Sequence, residues 1–401
     1  GEQFATALEY SRWLAAGAQT SLREVERQIA EVRELDFQAS VPSETITKDA
    51  LRTRLSESID HQEQEALEND EAMLELLGLI DPALDLGEVL VEVQTEQTAG
   101  FYTLEEDKFY VLETEEQTAA DQTVIAHEYI HALQDQHFDL AALDDAESDD
   151  DRRLAFRALL EGDATLSTLL YANEHVLAID LLNLMTSVGG VESEVLESTP
   201  MFIQETLAFP YAAGLEFVSA LHDRGGWEEV NAAYDAPPLS TEQILHPERY
   251  WDKDAPLEVA LVDLASKLGS PWKELDNDVM GELGLRLTLA AHIGPAVAAK
   301  ASEGWGGDRY ALLQTGDAYV TVFNMTWDSE KEATEFFQLY RATMEHRADF
   351  VQDVPSLVGE LGEYWWLADG NCVYTAQEGE QVILLVGTNR EVVEQVLGAM
   401  Q

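Results

Sequence analysis

The residues with the most chemistry in them lie in VIAHEYIHALQDQHFDL, positions 124–140. His127 and His131 stand four apart, with Glu128 directly after the first. On a helix four residues turn through ~400°, so the two imidazoles sit one above the other and converge on one point. Two imidazoles at that spacing suit zinc, and a carboxylate beside the first can reach a metal-bound water as general base. Val124, Ile125, Ala126, Ile130, Ala132 and Leu133 flank the pair, which predicts a buried helix. The bland alternative is an amphipathic helix that carries histidines on its polar face.

A catalytic zinc site needs a third protein ligand. His137 follows His131 by six, the spacing at which a helix broken by glycine swings a last histidine back to the metal. Gln134 occupies the glycine position. If the helix continues through it, His137 lies ~240° round from His131 and points away. His137 is therefore expected to be an ordinary polar residue just past the helix end. Glu161 is the stronger candidate: it is an acid inside the apolar run FRALLEGDATLSTLL, beside Gly162. A carboxylate buried there is unfavourable unless it is paired or binds a metal, and Gly162 would permit a close helix approach. Asp163 lies ~200° from Glu161 and faces elsewhere. Asp135 shares the histidine face and could accept an imidazole N–H, or be solvated at the helix end. Hydrolysis by a metal-bound water also needs a donor for the developing oxyanion. His246 in STEQILHPERY is preferred for that role, with Tyr211 in FPYAAG as the second choice.

Elements must hold these residues in place. Residues 6–35 read as one long amphipathic helix, Pro42-Ser43-Glu44 as a break, and 47–79 as one or two further helices ending at LGLIDP. TAGFYTL and KFYVLE, with acids between them, predict a β-hairpin. Asp121 is a plausible N-cap for the histidine helix. DDAESDDD, 144–151, reads as a solvated loop, with a calcium site as the alternative. Helices then run to residue 235, punctuated by Pro200, Pro210 and Gly225-Gly226, and Ser240 or Thr241 can cap a short turn before His246. After GWGGD come two strands, a helix, three strands and a last helix. That order predicts a compact α+β domain of ferredoxin-like type. The expected fold class is α+β throughout. A helical region spans 1–80, a mainly helical domain with a short β-hairpin spans 81–300, and the C-terminal α+β domain spans 301–401.

Composition narrows the partners. There are 78 acidic against 23 basic residues, a formal net charge of -55. A chain of this charge is repelled by nucleic acid and by anionic membrane. The acids are spread along the whole length, which points to a protein that works in concentrated salt, where the Debye length shrinks to ~3 Å at 1 M. Cys372 is the only cysteine, so no intrachain disulfide can form. No run of 18 apolar residues is present, so no transmembrane helix is expected. The sequence opens at Gly1, which fits removal of a signal peptide or lipid-anchor segment. The expected location is extracellular or at the cell surface in a high-salt organism, with the cytoplasm not excluded.

HEYIHALQDQHFDL followed by ALLEGDATL resembles a group of bacterial and archaeal zincin-like proteins of the H-E-x-x-H plus downstream Glu type. LGLIDPALDL, TEQTAGFYTLEEDKFYV, FPYAAGLEFV, PPLSTEQILHPERY and GWGGDRY fit the same group, so the resemblance covers roughly residues 75–330. It implies a zincin-like, gluzincin-type peptidase domain with His127, His131 and Glu161 on Zn²⁺, Glu128 as base, and a peptide or protein substrate. The better-known gluzincins carry an acid four residues after the ligand Glu, and here that position is Thr165. Orientation of the ligands must then come from Asp135, from Thr165 itself or from elsewhere. The alternative function is a non-catalytic zinc-binding surface or structural protein on the same scaffold.

Overall fold

The computed structural model describes residues 22–97, 100–103, 106, 108–113, 119–146, 149–175, 194–347, 363–368 and 370–400. The first half of the long helix expected over 6–35 lies outside these residues. Its described part is α1, Leu22–Arg33, whose Val25, Ile29 and Arg33 form a buried face at helical spacing. Burying an aliphatic side chain of this kind contributes about 1.5–3 kcal/mol.

Strand β1, Ser43–Ile46, occupies the stretch expected to be a break. Thr47 and Asp60 cap the next two helices, α2 (Lys48–Ser58) and α3 (His61–Leu76), and Asp60 forms a reciprocal capping box with Glu63. Helix α4, Leu86–Gln97, leads into the expected hairpin, β2 (Gly100–Thr103) and β3 (Lys108–Leu112). The three strands form one sheet in the order β1-β3-β2, with β1 parallel and β2 antiparallel to β3.

The histidine helix, α5, runs from Ala119 to Phe138. Asp121 therefore lies inside its first turn rather than at its cap. The helix continues unbroken through Gln134 and stops where Asp139 takes a left-handed φ of 51°. Short α6 (Leu140–Ala146) and long α7 (Asp150–His175) divide the acidic stretch 144–151 between their ends. Ile125, Ala126, Ile130 and Leu133 of α5 pack with Val25 and Ile29 of α1, Phe109 of β3, and Ala164 and Tyr171 of α7. Helix α8 is short (Glu194–Ser198), and α9 then runs from Met201 to Asp235 through Pro210, kinking only at Gly226. Helices α7 and α9 meet backbone to backbone. A Cβ on Gly162 would lie 2.2 Å from the Gly214 carbonyl oxygen, and a Cβ on Gly214 would lie 2.2 Å from that of Ala158.

Two short helices, α10 (Thr241–Leu245) and α11 (Pro247–Asp252), flank His246, and α12 is Leu264–Leu268. Ser240 caps α10. Strand β4 (Lys273–Asp278), helices α13 (Gly281–Ile293) and α14 (Pro295–Ser302), then strands β5 (Trp305–Thr315) and β6 (Ala318–Trp327) follow. The chain closes with α15 (Glu330–Arg347), β7 (Glu363–Ala368), β8 (Asn371–Glu378), β9 (Gln381–Gly387) and α16 (Arg390–Met400). These strands form a second sheet in the order β4-β5-β6-β9-β8-β7, antiparallel at every pairing.

The ferredoxin-like expectation is corrected by this topology. A ferredoxin-like unit interleaves two split βαβ crossovers, whereas here a hairpin, a helix, a three-strand meander and a helix follow one another. The expected boundary at 300/301 also separates β4 from the sheet it belongs to. Leu74 and Leu76 of α3 share a core with Leu312, Phe323 and Phe336. The fold is α+β with two sheets. Among the described residues no helix is long and apolar enough to cross a membrane.

Candidate metal centre

Helix α5 presents His127 and His131 on one face, their rings 4.8 Å apart and nearly perpendicular. Helix α7 lies alongside and brings Glu161 between them. Its Oε2 is 3.0 Å from His127 Nε2 and 3.4 Å from His131 Nε2. These three residues are the one group of His, Cys, Asp or Glu side chains among the described residues whose ligand atoms converge within 4.8 Å. Tetrahedral zinc with ligands at about 2.0–2.1 Å sets neighbouring donors about 3.3 Å apart. Two imidazoles and a carboxylate at these separations fit such an ion.

Each imidazole is held by its other nitrogen. Gln134 Oε1 lies 2.8 Å from His131 Nδ1, while Gln134 Nε2 faces the Leu160 carbonyl, Asp163 Oδ2 and the Tyr234 hydroxyl at 2.9–3.1 Å. Carbonyl and carboxylate acceptors on the amide nitrogen fix the amide orientation, so His131 Nδ1 donates and Nε2 is left for a metal. Thr168 Oγ1 gives its proton to the Ala164 carbonyl at 2.7 Å and lies 3.5 Å from His127 Nδ1, which can donate to it.

Behind Gln134 stands a buried ion pair. Arg33 of α1 grips both oxygens of Asp163, Nε to Oδ1 at 2.7 Å and Nη2 to Oδ2 at 3.1 Å, with neither side chain exposed. The Arg33 guanidinium also bonds Asn231 at 2.6 Å and lies 4.3 Å over the Trp227 ring. Tyr234 donates to Asp163 Oδ2 at 2.8 Å. Residues of α1, α5, α7 and α9 thus brace His131 from behind. Asp135, expected either to accept an imidazole N–H or to be solvated, takes a bond from the Tyr102 hydroxyl at 3.0 Å.

Glu128 turns toward the sheet, where its Oε2 accepts from the Tyr102 backbone N–H at 2.9 Å. Tyr102 pairs with Phe109, whose own N–H goes to the Pro42 carbonyl on the far side of β3, so Tyr102 N–H points out of the sheet. Burial raises the Glu128 pKa, and the neighbouring histidines only partly offset this. Burial opposes charge on His131, but the Glu161 carboxylate lifts its pKa to about 9. Glu161 is pulled below the ordinary carboxylate range, His131 and His127 outweighing its burial.

The remaining candidates separate. Tyr211 of α9 stacks on His127 with ring centroids 6.2 Å apart, close enough to Glu161 to feel its charge. The residue is 45% exposed, and the Glu161 charge drives its pKa well up, so the phenol stays protonated as a donor. His246 sits elsewhere, 3.1 Å from Glu282, whose hydrogen bond raises its pKa. Thr241, five residues before His246, bonds Asp151, which precedes Glu161 by ten residues, or ~15 Å of helix. The structure therefore brings Tyr211, not His246, to the ligands. His137 accompanies Asp36 and Gln38 at 2.9 and 3.4 Å, away from the site.

Residues 269–397 match a family model described as a domain of unknown function, DUF8575. That span contains the six-stranded sheet and none of the residues grouped around Glu161. No curated protein and no solved structure matches the chain.

Proposed function

We propose that this protein is a zinc-dependent peptidase on a zincin-like scaffold of the gluzincin type. The observation that carries the reading is the convergence of His127, His131 and Glu161 with Glu128 one residue from the first ligand. Zinc, when bound, supplies Lewis acidity and lowers the pKa of a coordinated water. Glu128 takes a proton from the attacking water as the new C–O bond forms, and delivers it to the leaving amine nitrogen as C–N breaks. Its Oε2 is held by Tyr102 N–H, which leaves Oε1 to carry that proton. Tyr211, protonated and next to Glu161, donates to the developing oxyanion. Gln134 and Thr168 keep Nε2 of each histidine facing inward. The chain-wide acidity makes concentrated salt the working medium.

The test is zinc content by elemental analysis together with hydrolysis of a casein-type substrate in molar salt. Glu128→Gln should retain zinc and fold while losing hydrolysis. Full activity in that variant would overturn the mechanism. Zinc without hydrolysis in the parent protein would favour a structural metal tying α5 to α7.

A further inference from the structure

Beside the metal group lies a cavity of about 360 Å³. Leu154, Phe202, Leu207, Met280 and Leu283 give it an apolar wall, and Arg153 and Arg157 supply cations. It adjoins the site along two helices. Arg157 precedes Glu161 by one turn of α7, and Leu207 precedes Tyr211 by one turn of α9. The Arg157 charge is also felt at the Tyr211 hydroxyl.

The two arginines differ. Arg153 pairs with Asp150 at 2.5 Å. Arg157 is exposed and, among the described residues, has no hydrogen-bond or ion-pair partner. An uncommitted guanidinium next to a metal group is notable in a chain with 78 acids against 23 bases. The cavity is also lined by Asp70, Asp150 and Asp151. Burial pushes the Asp70 and Asp151 carboxyls up to about 8 and raises Asp150, so near neutrality their repulsion of an anion is reduced.

We propose that Arg157 and this cavity receive the residue on the leaving side of the scissile bond, and that the substrates are peptides ending in a bulky apolar residue with a free carboxylate. This rests on the peptidase reading above. Distance places the free carboxylate one or two residues past the scissile carbonyl. Four residues of helix rise ~6 Å, and one extended residue spans ~3.5 Å. A terminal carboxylate one residue past a carbonyl at the ligands therefore falls within reach of the Arg157 fork. Three residues, at ~10 Å, would overshoot it. Guanidinium suits a carboxylate because its paired N–H groups match both oxygens.

The test uses zinc-loaded Glu128→Gln protein titrated calorimetrically with a blocked dipeptide ending in phenylalanine, as the free acid and as the amide. The acid should bind at least about tenfold tighter, the worth of one charge-assisted hydrogen bond. Arg157→Gln should abolish that difference and leave the amide's affinity alone. Exchanging the terminal phenylalanine for glycine should weaken the acid, through loss of the cavity contact. Equal binding of acid and amide, or discrimination that survives in Arg157→Gln, overturns the proposal. On the active protein the same pair is compared by kcat/KM. Cleavage of internal bonds with no response to amidation refutes the proposal and leaves the peptidase reading standing. Absence of any hydrolysis by folded, zinc-loaded protein refutes both.

Discussion

Replacing Gln134 by methionine tests whether the ligand set is oriented from behind. Methionine matches glutamine in length and fills the same fully buried space. It removes the 2.8 Å acceptor from His131 Nδ1. The other partners lose less: Asp163 keeps both Arg33 bonds and the Tyr234 hydroxyl. One imidazole N–H is then left unsatisfied, at about 1–3 kcal/mol of stability. The larger effect should fall on the metal, because the ring is free to turn or change tautomer. Removing such an outer partner weakens metal binding by roughly 10–100-fold, or about 1.4–2.8 kcal/mol. Competition for zinc against a chromophoric chelator, at fixed pH and salt, measures it. Asp135→Asn is the control, since Asp135 is bonded to Tyr102 rather than to a histidine, and it should leave zinc affinity unchanged. If Gln134→Met binds zinc as tightly as the parent, with an unchanged circular dichroism spectrum, the bracing argument is wrong.

Three further outcomes are expected. Gly214→Ala puts a methyl 2.2 Å from the Ala158 carbonyl oxygen, so α9 must shift together with Tyr211. Stability should fall by about 1–3 kcal/mol in denaturant melts, and an unchanged midpoint would show that the helices are not in close contact. Asp151 is buried, and burial lifts its pKa from 3.8 to about 8 despite two bonds from Thr241. The folded state therefore binds this proton more tightly than the unfolded chain does. Stability relative to Asp151→Asn should fall as pH rises from about 4 to about 8 and then level off; a difference that is flat across that window contradicts it. Finally, the net charge of -55 should make the melting temperature rise between ~0.1 M and 1 M KCl as the Debye length drops from ~10 to ~3 Å, and equal melts would remove the case for a high-salt protein.

What could be read of the fold from sequence followed periodicity. The long helices and the aromatic hairpin announce themselves by apolar spacing and by acids in the turn. β1 does not, because Ser43–Ile46 is four residues with a mostly exposed pattern, and only its pairing with β3 makes it a strand. Five strands of the second sheet were legible, but neither β4 nor the topology was. Nothing local in KELDND shows that it pairs with β5 across two intervening helices. Pro210 suggests a break, yet α9 passes through it, because packing against α7 over Gly162 and Gly214 outweighs one lost backbone bond.

At the site the division follows sequence distance. His127, Glu128 and His131 are visible because four-residue spacing has one meaning on a helix. Glu161 is visible because an acid in an apolar helix demands a partner. The brace behind them is not, since Arg33 and Asp163 are 130 residues apart and neither carries a local signal of the other. Gln134 is the instructive case. As a sequence feature it registers only as a missing glycine, a reason to reject His137. In the structure the same side chain replaces what that third histidine would have contributed to rigidity. A helix that does not break at Gln134 continues one more turn and places an amide beneath His131. Its oxygen holds the imidazole, and its nitrogen reaches the carboxylate that Arg33 pins in place. The rejection of His137 and the bracing of His131 are therefore one event, and in the proposed zinc site the remaining ligand comes from α7. Asp163 anchors that brace on the same helix, two residues after Glu161, so whatever fixes His131 also fixes the third ligand.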